Sequence, residues 1–201
     1  MTEFSQLGLS PTTLKAVAET GYTTATPIQE QAIPVALAGR DVLGIAQTGT
    51  GKTAAFTLPL VERLATGRAR ARMPRAIVLA PTRELADQVA ALNKGVDVLI
   101  ATPGRLLDLF ERGKMLLTGV EIMVVDEADR MLDMGFIPDI ERIFKLTPPR
   151  RQTLFFSATM PPEITRLTTA FLKDPTRIEA SRPAMTADTI TQYLVLSLIH
   201  I

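Results

Sequence analysis

The stretch DVLGIAQTGTGKT, residues 41–53, decides the fold class. It begins with a short apolar run, turns at Gly49 and Gly51, and leads into AAFTLPLVERL (54–64), whose apolar residues have helical spacing. A strand, a glycine-rich turn and a helix in this order let backbone N–H groups and the positive end of the helix surround one anion. The sequence therefore predicts a phosphate-binding loop on an α/β scaffold.

Two residues of this loop have specific expected roles. Lys52 would contact the β and γ phosphates as a point charge, and the Thr53 hydroxyl would bind Mg²⁺. The full pattern G-x-x-x-x-G-K-[ST] begins with glycine, whereas this chain has Ala46 there. A glycine-rich turn that binds no ligand is therefore the alternative at this point.

Further apolar runs extend the scaffold into a sheet. They occupy 76–80, 97–101, 121–126 and 152–158, and a helical pattern follows each of them. Strands that are apolar almost throughout are buried on both faces, as in parallel sheets covered by helices. We expect an α/β domain with a mainly parallel, five-stranded sheet and helices on both faces.

Two helices precede the sheet. Ser-Pro at 10–11 and Thr-Pro at 26–27 each combine an N-cap residue with proline at the first helical position. The first helix should end at Gly21 and the second before Gly39, with a kink at Pro34.

Composition excludes several kinds of chemistry. The 201 residues include no cysteine, and the single histidine is His200, so thiolate or imidazole catalysis and metal sites built from these ligands are not expected. The net charge is only +1, so nucleic-acid binding would depend on local residues. No apolar run approaches the roughly 18 residues of a membrane span, and no signal peptide is evident, so we expect a cytoplasmic protein.

The stretch EIMVVDEAD (121–129) adds acidic chemistry to the same edge of the sheet. Asp126 and Glu127 follow an apolar strand, at the carboxyl edge where open α/β sheets bind ligands. Asp126 can hold Mg²⁺ through water, and Glu127 can polarise an attacking water. The alternative is an acidic N-terminus of the next helix, favoured by the helix dipole.

Three shorter stretches are ambiguous by themselves. SAT (157–159) is a polar turn by default, and PTRELA (81–86) and TPGR (102–105) are helix-start signals whose arginines could contact sugar-phosphate. The arginine-rich segment 67–75 indicates an exposed loop, although its arginines could touch RNA.

In combination, these stretches resemble the first RecA-like domain of the DEAD-box RNA helicases, most closely the bacterial RhlE type, over about residues 1–195. Alanine at position 46 is usual in that family. GYTTATPIQ (21–29) is similar to the adenine-recognition segment, with Ala25 where proline is usual. The resemblance implies ATP and Mg²⁺ as ligands, RNA bound by its backbone, and no membrane partner.

The same resemblance implies the site residues. Nucleotide contacts would come from Phe4, Tyr22, Gln29, Gln47, Thr48, Gly49, Thr50, Gly51, Lys52 and Thr53. Catalytic roles would belong to Lys52, Asp126, Glu127, Ser157 and Thr159, and Mg²⁺ contacts to Thr53 and Asp126. RNA would contact Pro81, Thr82, Arg83, Thr102, Pro103, Gly104 and Arg105.

The resemblance also sets the expected domain boundaries. Residues 1–40 would be an adenine-recognition segment of the domain at 41–180, 181–195 would begin an interdomain linker, and LSLIHI (196–201) would be a non-native tail similar to a translated sequencing adaptor. By the resemblance, we do not expect the family's second RecA-like domain, with its arginine fingers, within these 201 residues. Because such an arginine contributes about 10³ to 10⁵ in rate, this chain should bind ATP but hydrolyse it poorly.

One segment is short against the family. The comparison with the family predicts that an edge strand, its double-glycine RNA-contact motif and most of a helix are deleted between Ala90 and Ala91. A helix at 84–93 would then cross directly into the strand at 97–101. We expect an intact nucleotide site and an impaired RNA surface.

Two other functions remain open from the sequence. One is a non-catalytic fragment that binds nucleotide or RNA. The other is an unrelated P-loop ATPase or small-molecule kinase, which the joint presence of the adenine segment and the three shorter stretches disfavours.

Overall fold

A parallel β-sheet forms the centre of the computed structural model, which describes residues 2–82 and 96–180. Its strands are β1 Val42–Ile45, β2 Ala76–Leu79, β3 Val98–Ala101, β4 Ile122–Val125, β5 Gln152–Ser157 and β6 Thr176–Glu179. All neighbouring strands run parallel, in the order β3-β2-β4-β5-β1-β6. The strands that precede the predicted phosphate loop and the acidic pair, β1 and β4, are therefore separated by β5 alone.

Helices connect the strands. In the described residues the α-helices are α1 Pro11–Glu19, α2 Pro27–Leu37, α3 Lys52–Leu64, α4 Pro103–Glu111, α5 Ala128–Asp133, α6 Ile137–Leu146 and α7 Pro162–Phe171, with a short 3-10 helix at Phe4–Gln6. The side chain of Ser10 caps α1 by accepting a hydrogen bond from the Thr13 amide. Both predicted N-terminal helices are confirmed, whereas the expected kink at Pro34 of α2 stays a prediction.

Both faces of the sheet are covered, as the apolar strands predicted. Alternate residues of β4 show this, since Met123 and Val125 pack in a core with α4, α5, α6 and α7. Ile122 and Val124 point the other way, into a core shared with α2 and α3. These four side chains are at most 1% exposed, so β4 is buried on both sides.

The expected count of five strands was wrong by one. The sixth strand, β6, has the sequence TRIE, in which only Ile178 is buried. One apolar residue among polar ones gives no strand pattern. β6 forms because its backbone pairs with β1, in a ladder that matches Val42 with Thr176.

The outer corner of the sheet agrees with the expected connection. β3 pairs in parallel with β2, with Ala76 opposite Val98, so the strand predicted at 97–101 does join the strand predicted at 76–80. The helix predicted at 84–93 and the deletion point at 90/91 lie outside the described residues. The segment 67–75 is a largely exposed loop, as predicted.

No helix in the described ranges 2–82 and 96–180 is both long and apolar enough to cross a membrane.

Candidate nucleotide site and nucleic-acid surface

The loop between β1 and α3 carries the predicted phosphate contacts at the carboxyl edge of the sheet. Gly49 and Gly51 have φ angles of 85° and 95°, a left-handed conformation that glycine adopts without steric cost. A Cβ atom on Gly51 would collide with Nε2 of Gln29, so the loop passes close to α2 at this point. The loop ends at the start of the 13-residue helix α3, where unpaired N–H groups and the helix dipole favour an anion.

Lys52 and Asp126 face each other across this edge. The Lys52 Nζ lies 3.9 Å from Asp126 Oδ1, and its side chain is only 6% exposed. This distance is too long for a hydrogen bond, and the Lys52 ammonium makes no side-chain hydrogen bond to any residue of the described ranges. A buried ammonium without hydrogen bonds is costly, so the site is suited to a further anion between or beside the two groups.

Burial also perturbs the carboxylate. Desolvation raises the pKa of Asp126, and the attraction of Lys52 and a hydrogen bond from the Glu127 amide offset only part of that effect. A carboxyl group whose charged form is disfavoured gains from a bound cation. Glu127 itself has φ 52°, an uncommon conformation for a side-chain-bearing residue, and strained backbone of this kind is frequent at functional sites.

The end of β5, the strand between β1 and β4, forms a separate set of hydrogen bonds with the acidic segment. Ser157 Oγ accepts from the Asp129 amide at 3.2 Å, and the Thr159 amide and hydroxyl donate to Asp129 Oδ2 at 3.0 and 3.1 Å. The two polar residues assigned a catalytic role are therefore bonded to Asp129, which the sequence reasoning did not single out. Its position two residues after Glu127, at the first turn of α5, was the available signal.

Gln29 links the adenine segment to the phosphate loop. Its side chain is buried, Oε1 accepts from the Thr26 amide at 2.9 Å, and Nε2 donates to the Gly51 carbonyl at 3.0 Å. A primary amide has two N–H donors and two acceptor lone pairs. Gln29 thus keeps one donor and one acceptor for a ligand.

The two aromatic residues of this region differ in exposure. Phe4 is 4% exposed and packs with Val17 and Ile33, whereas Tyr22 is 54% exposed. Their rings stack with centroids 6.3 Å apart. Phe4 therefore supports Tyr22 from the core, and Tyr22 offers the free ring surface.

The match to a family model agrees with this arrangement. The model described as "DEAD/DEAH box helicase" matches residues 26–92 and 89–167, which is more than half of the chain. The chain belongs to the DEAD/DEAH box helicase family. This DEAD-box domain includes the phosphate loop, the acidic pair and the Asp129 contacts within the matched residues.

Curated relatives and a solved structure resemble this DEAD-box domain closely. The ATP-dependent RNA helicase CshA of Limosilactobacillus reuteri is 44% identical over 221 residues, covering 96% of this chain and 44% of the relative. The RNA helicase CrhR of Synechocystis is 42% identical, covering 95% and 44%. The crystal structure of a DEAD box protein from Methanococcus jannaschii has a TM-score of 0.79 and 35% identity, covering 90% of this chain and 56% of that one.

These comparisons support the RecA-like fold and a bacterial type, while the narrower RhlE type stays a prediction. The chain spans less than half the length of the curated relatives it matches.

The described residues among those predicted to contact RNA lie at the outer corner of the DEAD-box domain, after β2 and β3. Thr82 and Arg105 are exposed, whereas Thr102 and Pro103 are buried at the start of α4. Arg105 forms an ion pair with Asp108 at 2.9 Å, which a phosphate would have to share or displace. Pro81 is buried, Gly104 is half-buried, and Arg83 lies outside the described residues.

The other loop residues predicted to contact nucleotide lie on the same edge of the DEAD-box domain. Thr50 Oγ1 donates to the Gln47 carbonyl at 2.7 Å, which holds the turn closed. Gln47, Thr48 and Thr53 are exposed and free to meet a ligand.

Proposed function

We propose that this domain binds Mg-ATP at the carboxyl edge of its sheet and the RNA sugar-phosphate backbone beside it, as the ATP-binding half of a DEAD-box RNA helicase. The observation that carries the proposal is the buried Lys52, which begins α3 below the glycine loop and faces Asp126 without bonding to it. Its ammonium would stabilise the β and γ phosphates by charge-assisted hydrogen bonds.

The donor set fits Mg²⁺. Asp126 is a partly buried carboxylate with a raised pKa, and the exposed Thr53 hydroxyl follows Lys52 at the start of α3. In the described part of the chain no group of three or more His, Cys, Asp or Glu side chains could hold a metal. Mg²⁺ is commonly held by one or two carboxylates together with phosphate oxygens and water, and bound here it would neutralise charge on the phosphates.

Gln29 supplies the base preference. The one donor and one acceptor that remain on its amide match the N7 acceptor and the N6 donor of adenine. Guanine carries acceptors at both corresponding positions, so it would leave the free acceptor of Gln29 without a partner. The exposed ring of Tyr22 can stack near the base.

Turnover is proposed for the longer protein. Glu127 would polarise the attacking water. Asp129, which donates to Ser157 and accepts from Thr159, would couple the end of β5 to the acidic segment as nucleotide and RNA bind or leave. An arginine from a second domain would supply the remaining stabilisation of the transition state. A non-catalytic fragment is the second candidate, favoured because the match covers less than half of the L. reuteri relative.

The RNA surface would use Thr82 and Arg105, which are exposed at adjacent strand ends. Contacts from such groups go to phosphate and sugar, so binding should tolerate many sequences and weaken with salt. We propose that the protein acts in the cytoplasm, where RNA and ATP are both available.

A deletion near 90/91 belongs to the same proposal. Two comparisons support it, since the family matches at 26–92 and 89–167 meet at this point. In the alignment to the L. reuteri relative, 96% of the 201 residues is about 193, so about 28 of the 221 aligned positions have no residue of this chain. The nucleotide edge, formed by β1, β4 and β5, does not include this segment.

The test is nucleotide binding by Lys52→Ala, with Lys145→Ala as an exposed matched control on α6. A fluorescent ATP analogue should bind the parent and the control alike, and Lys52→Ala at least about 100-fold more weakly, because a buried charged contact to phosphate is lost. Equal affinity of the Lys52 variant and the control would refute the nucleotide site. RNA-stimulated turnover by the isolated chain would reject the non-catalytic alternative.

A further inference from the structure

A cavity of about 610 Å³ lies at the amino ends of the strands, on the edge of the sheet opposite Lys52 and Asp126. Four of the segments that form it lie at the amino ends of β1, β4, β5 and β6, and the end of α3 contributes Arg63. Its volume is within the range of small-molecule sites, roughly 300–1,000 Å³. The nucleotide proposal gives this cavity no role.

Cationic side chains dominate its lining. They are Arg40, Arg63, Arg150, Arg151 and Lys173. In the described part of the chain, none of these five side chains forms a salt bridge or a hydrogen bond to a carboxylate. Their charges are therefore available to a ligand.

The three carboxylates of the lining are less available. Asp41 is buried and accepts hydrogen bonds from the amides of Thr153 and Lys173, both at 2.8 Å. Glu121 pairs with Arg75 at 2.8 Å. Asp174 lies on the rim. Because Glu121 is paired with Arg75, five cations face two carboxylates, Asp41 and Asp174, and the net charge of the lining is positive.

Arg151 places a buried cation in the cavity wall, and its guanidinium is held in position by neighbouring groups. It is 8% exposed, one terminal nitrogen donates to the Pro148 carbonyl at 2.9 Å, and its guanidinium lies 4.8 Å from the centroid of the Phe144 ring. Its Nε is fully buried and has no hydrogen-bond partner in the described ranges. Burial lowers the pKa of Arg151, and the attraction of Asp41 offsets only part of that effect.

We propose that this cavity binds a compact anion carrying two or three phosphate groups, independently of the nucleotide site. The cations converge from four separate segments on one cavity instead of following a line, which favours a compact ligand over an extended RNA strand. The guanidinium groups suit phosphate because their planar forks match its oxygens. Arg151 would anchor the ligand at depth, and the exposed arginines would close over it.

The experiment titrates inorganic tripolyphosphate into the Lys52→Ala protein by calorimetry, so that the nucleotide loop no longer holds phosphate. Tripolyphosphate should still bind this protein, and the affinity should fall as salt rises. The substitutions Arg63→Gln and Arg150→Gln, both at exposed side chains, should weaken tripolyphosphate binding to the Lys52→Ala protein about tenfold or more. Arg68→Gln removes the same charge from an exposed position on the same edge, outside the cavity, and should leave binding unchanged.

A buried variant tests the anchor. Arg151→Gln should abolish tripolyphosphate binding while circular dichroism shows a folded protein; if it unfolds, the Arg63 and Arg150 pair decides alone. No binding to the Lys52→Ala protein, or equal loss in Arg68→Gln, would overturn the proposal. So would binding of a single-stranded RNA oligonucleotide that the Arg63→Gln and Arg150→Gln changes weaken and tripolyphosphate does not displace. ATP binding is measured separately on the parent chain. Failure of the nucleotide proposal therefore does not entail failure of the cavity proposal.

Discussion

The substitution Gln29→Glu isolates the link between base preference and the phosphate loop. Glutamate keeps the shape of the side chain and one acceptor for the Thr26 amide, which now lies 2.9 Å from Oε1. The second oxygen replaces Nε2, which donates to the Gly51 carbonyl at 3.0 Å, so two acceptors would face each other. The donor proposed for adenine N7 disappears as well.

The expected magnitude comes from the hydrogen bond to adenine. Leaving a buried acceptor without its donor costs about 1–3 kcal/mol. The loss at the Gly51 carbonyl is present with and without ligand, so it lowers stability, whereas the loss at the adenine weakens ATP binding by about 5- to 100-fold. Because the adenine contact specifically is lost, the preference for ATP over GTP should shrink by about tenfold.

The assay is competition of ATP and GTP against a fluorescent ATP analogue, with Gln31→Glu as the control. Gln31 is exposed on the same helix, and within the described ranges its side-chain amide donates only to the Pro27 carbonyl, so the same charge is added away from the loop. An ATP-to-GTP preference that Gln29→Glu leaves intact would show that this amide does not contact the base. Equal losses in both variants would mean that charge alone weakens binding.

Three further predictions concern the rest of the molecule. Asp41→Asn should lower the free energy of unfolding by about 2–4 kcal/mol in urea denaturation, because a buried carboxylate that accepts two backbone hydrogen bonds is lost; a change below about 0.5 kcal/mol would contradict this. The Mg²⁺-dependent part of ATP affinity should fall as pH falls through the raised pKa of Asp126, above the roughly 3.9 of an ordinary aspartate, and Asp126→Asn should abolish that pH step. In the ligand-free protein the raised pKa of Asp126 affects the free energy of unfolding in the opposite direction. The protonated carboxyl stabilises the folded protein below the unfolded pKa, and this stabilisation is lost as pH rises through the folded pKa. Thr159→Val should lower stability by about 0.5–1.5 kcal/mol and change ATP affinity by less than about twofold, because its hydroxyl bonds to Asp129 and not to Lys52; a large loss of affinity would place Thr159 in the nucleotide site.

Much of the nucleotide edge could be predicted from local sequence. Lys52 and Asp126 each follow a strand with a strong apolar pattern, and the carboxyl ends of parallel strands meet at one edge, so their proximity followed once the strands were assigned. The tight turn at Gly49 and Gly51 was also predictable, because two glycines stand between a strand pattern and a helix pattern.

Other features could not be predicted, because they depend on partners distant in sequence. β6 has one buried apolar residue, and its pairing with β1 determines that it is a strand. The bonds of Asp129 reach 28 and 30 residues along the chain, and the Gln29 amide reaches 22 residues to Gly51. Hydrogen bonds over such separations have no local pattern, because each partner has an ordinary alternative as a turn or cap residue.

The sequence by itself determined the fold class, the phosphate loop and the acidic pair, because strand periodicity and glycine turns act between neighbouring residues. Only the tertiary structure decided that Phe4 is buried beneath an exposed Tyr22, and that Ser157 and Thr159 bond to Asp129. It alone brought five cations from separate segments around one cavity at the far edge. The physical reason is that burial and unpaired charge are properties of the packed sheet, in which segments far apart in the chain share one surface.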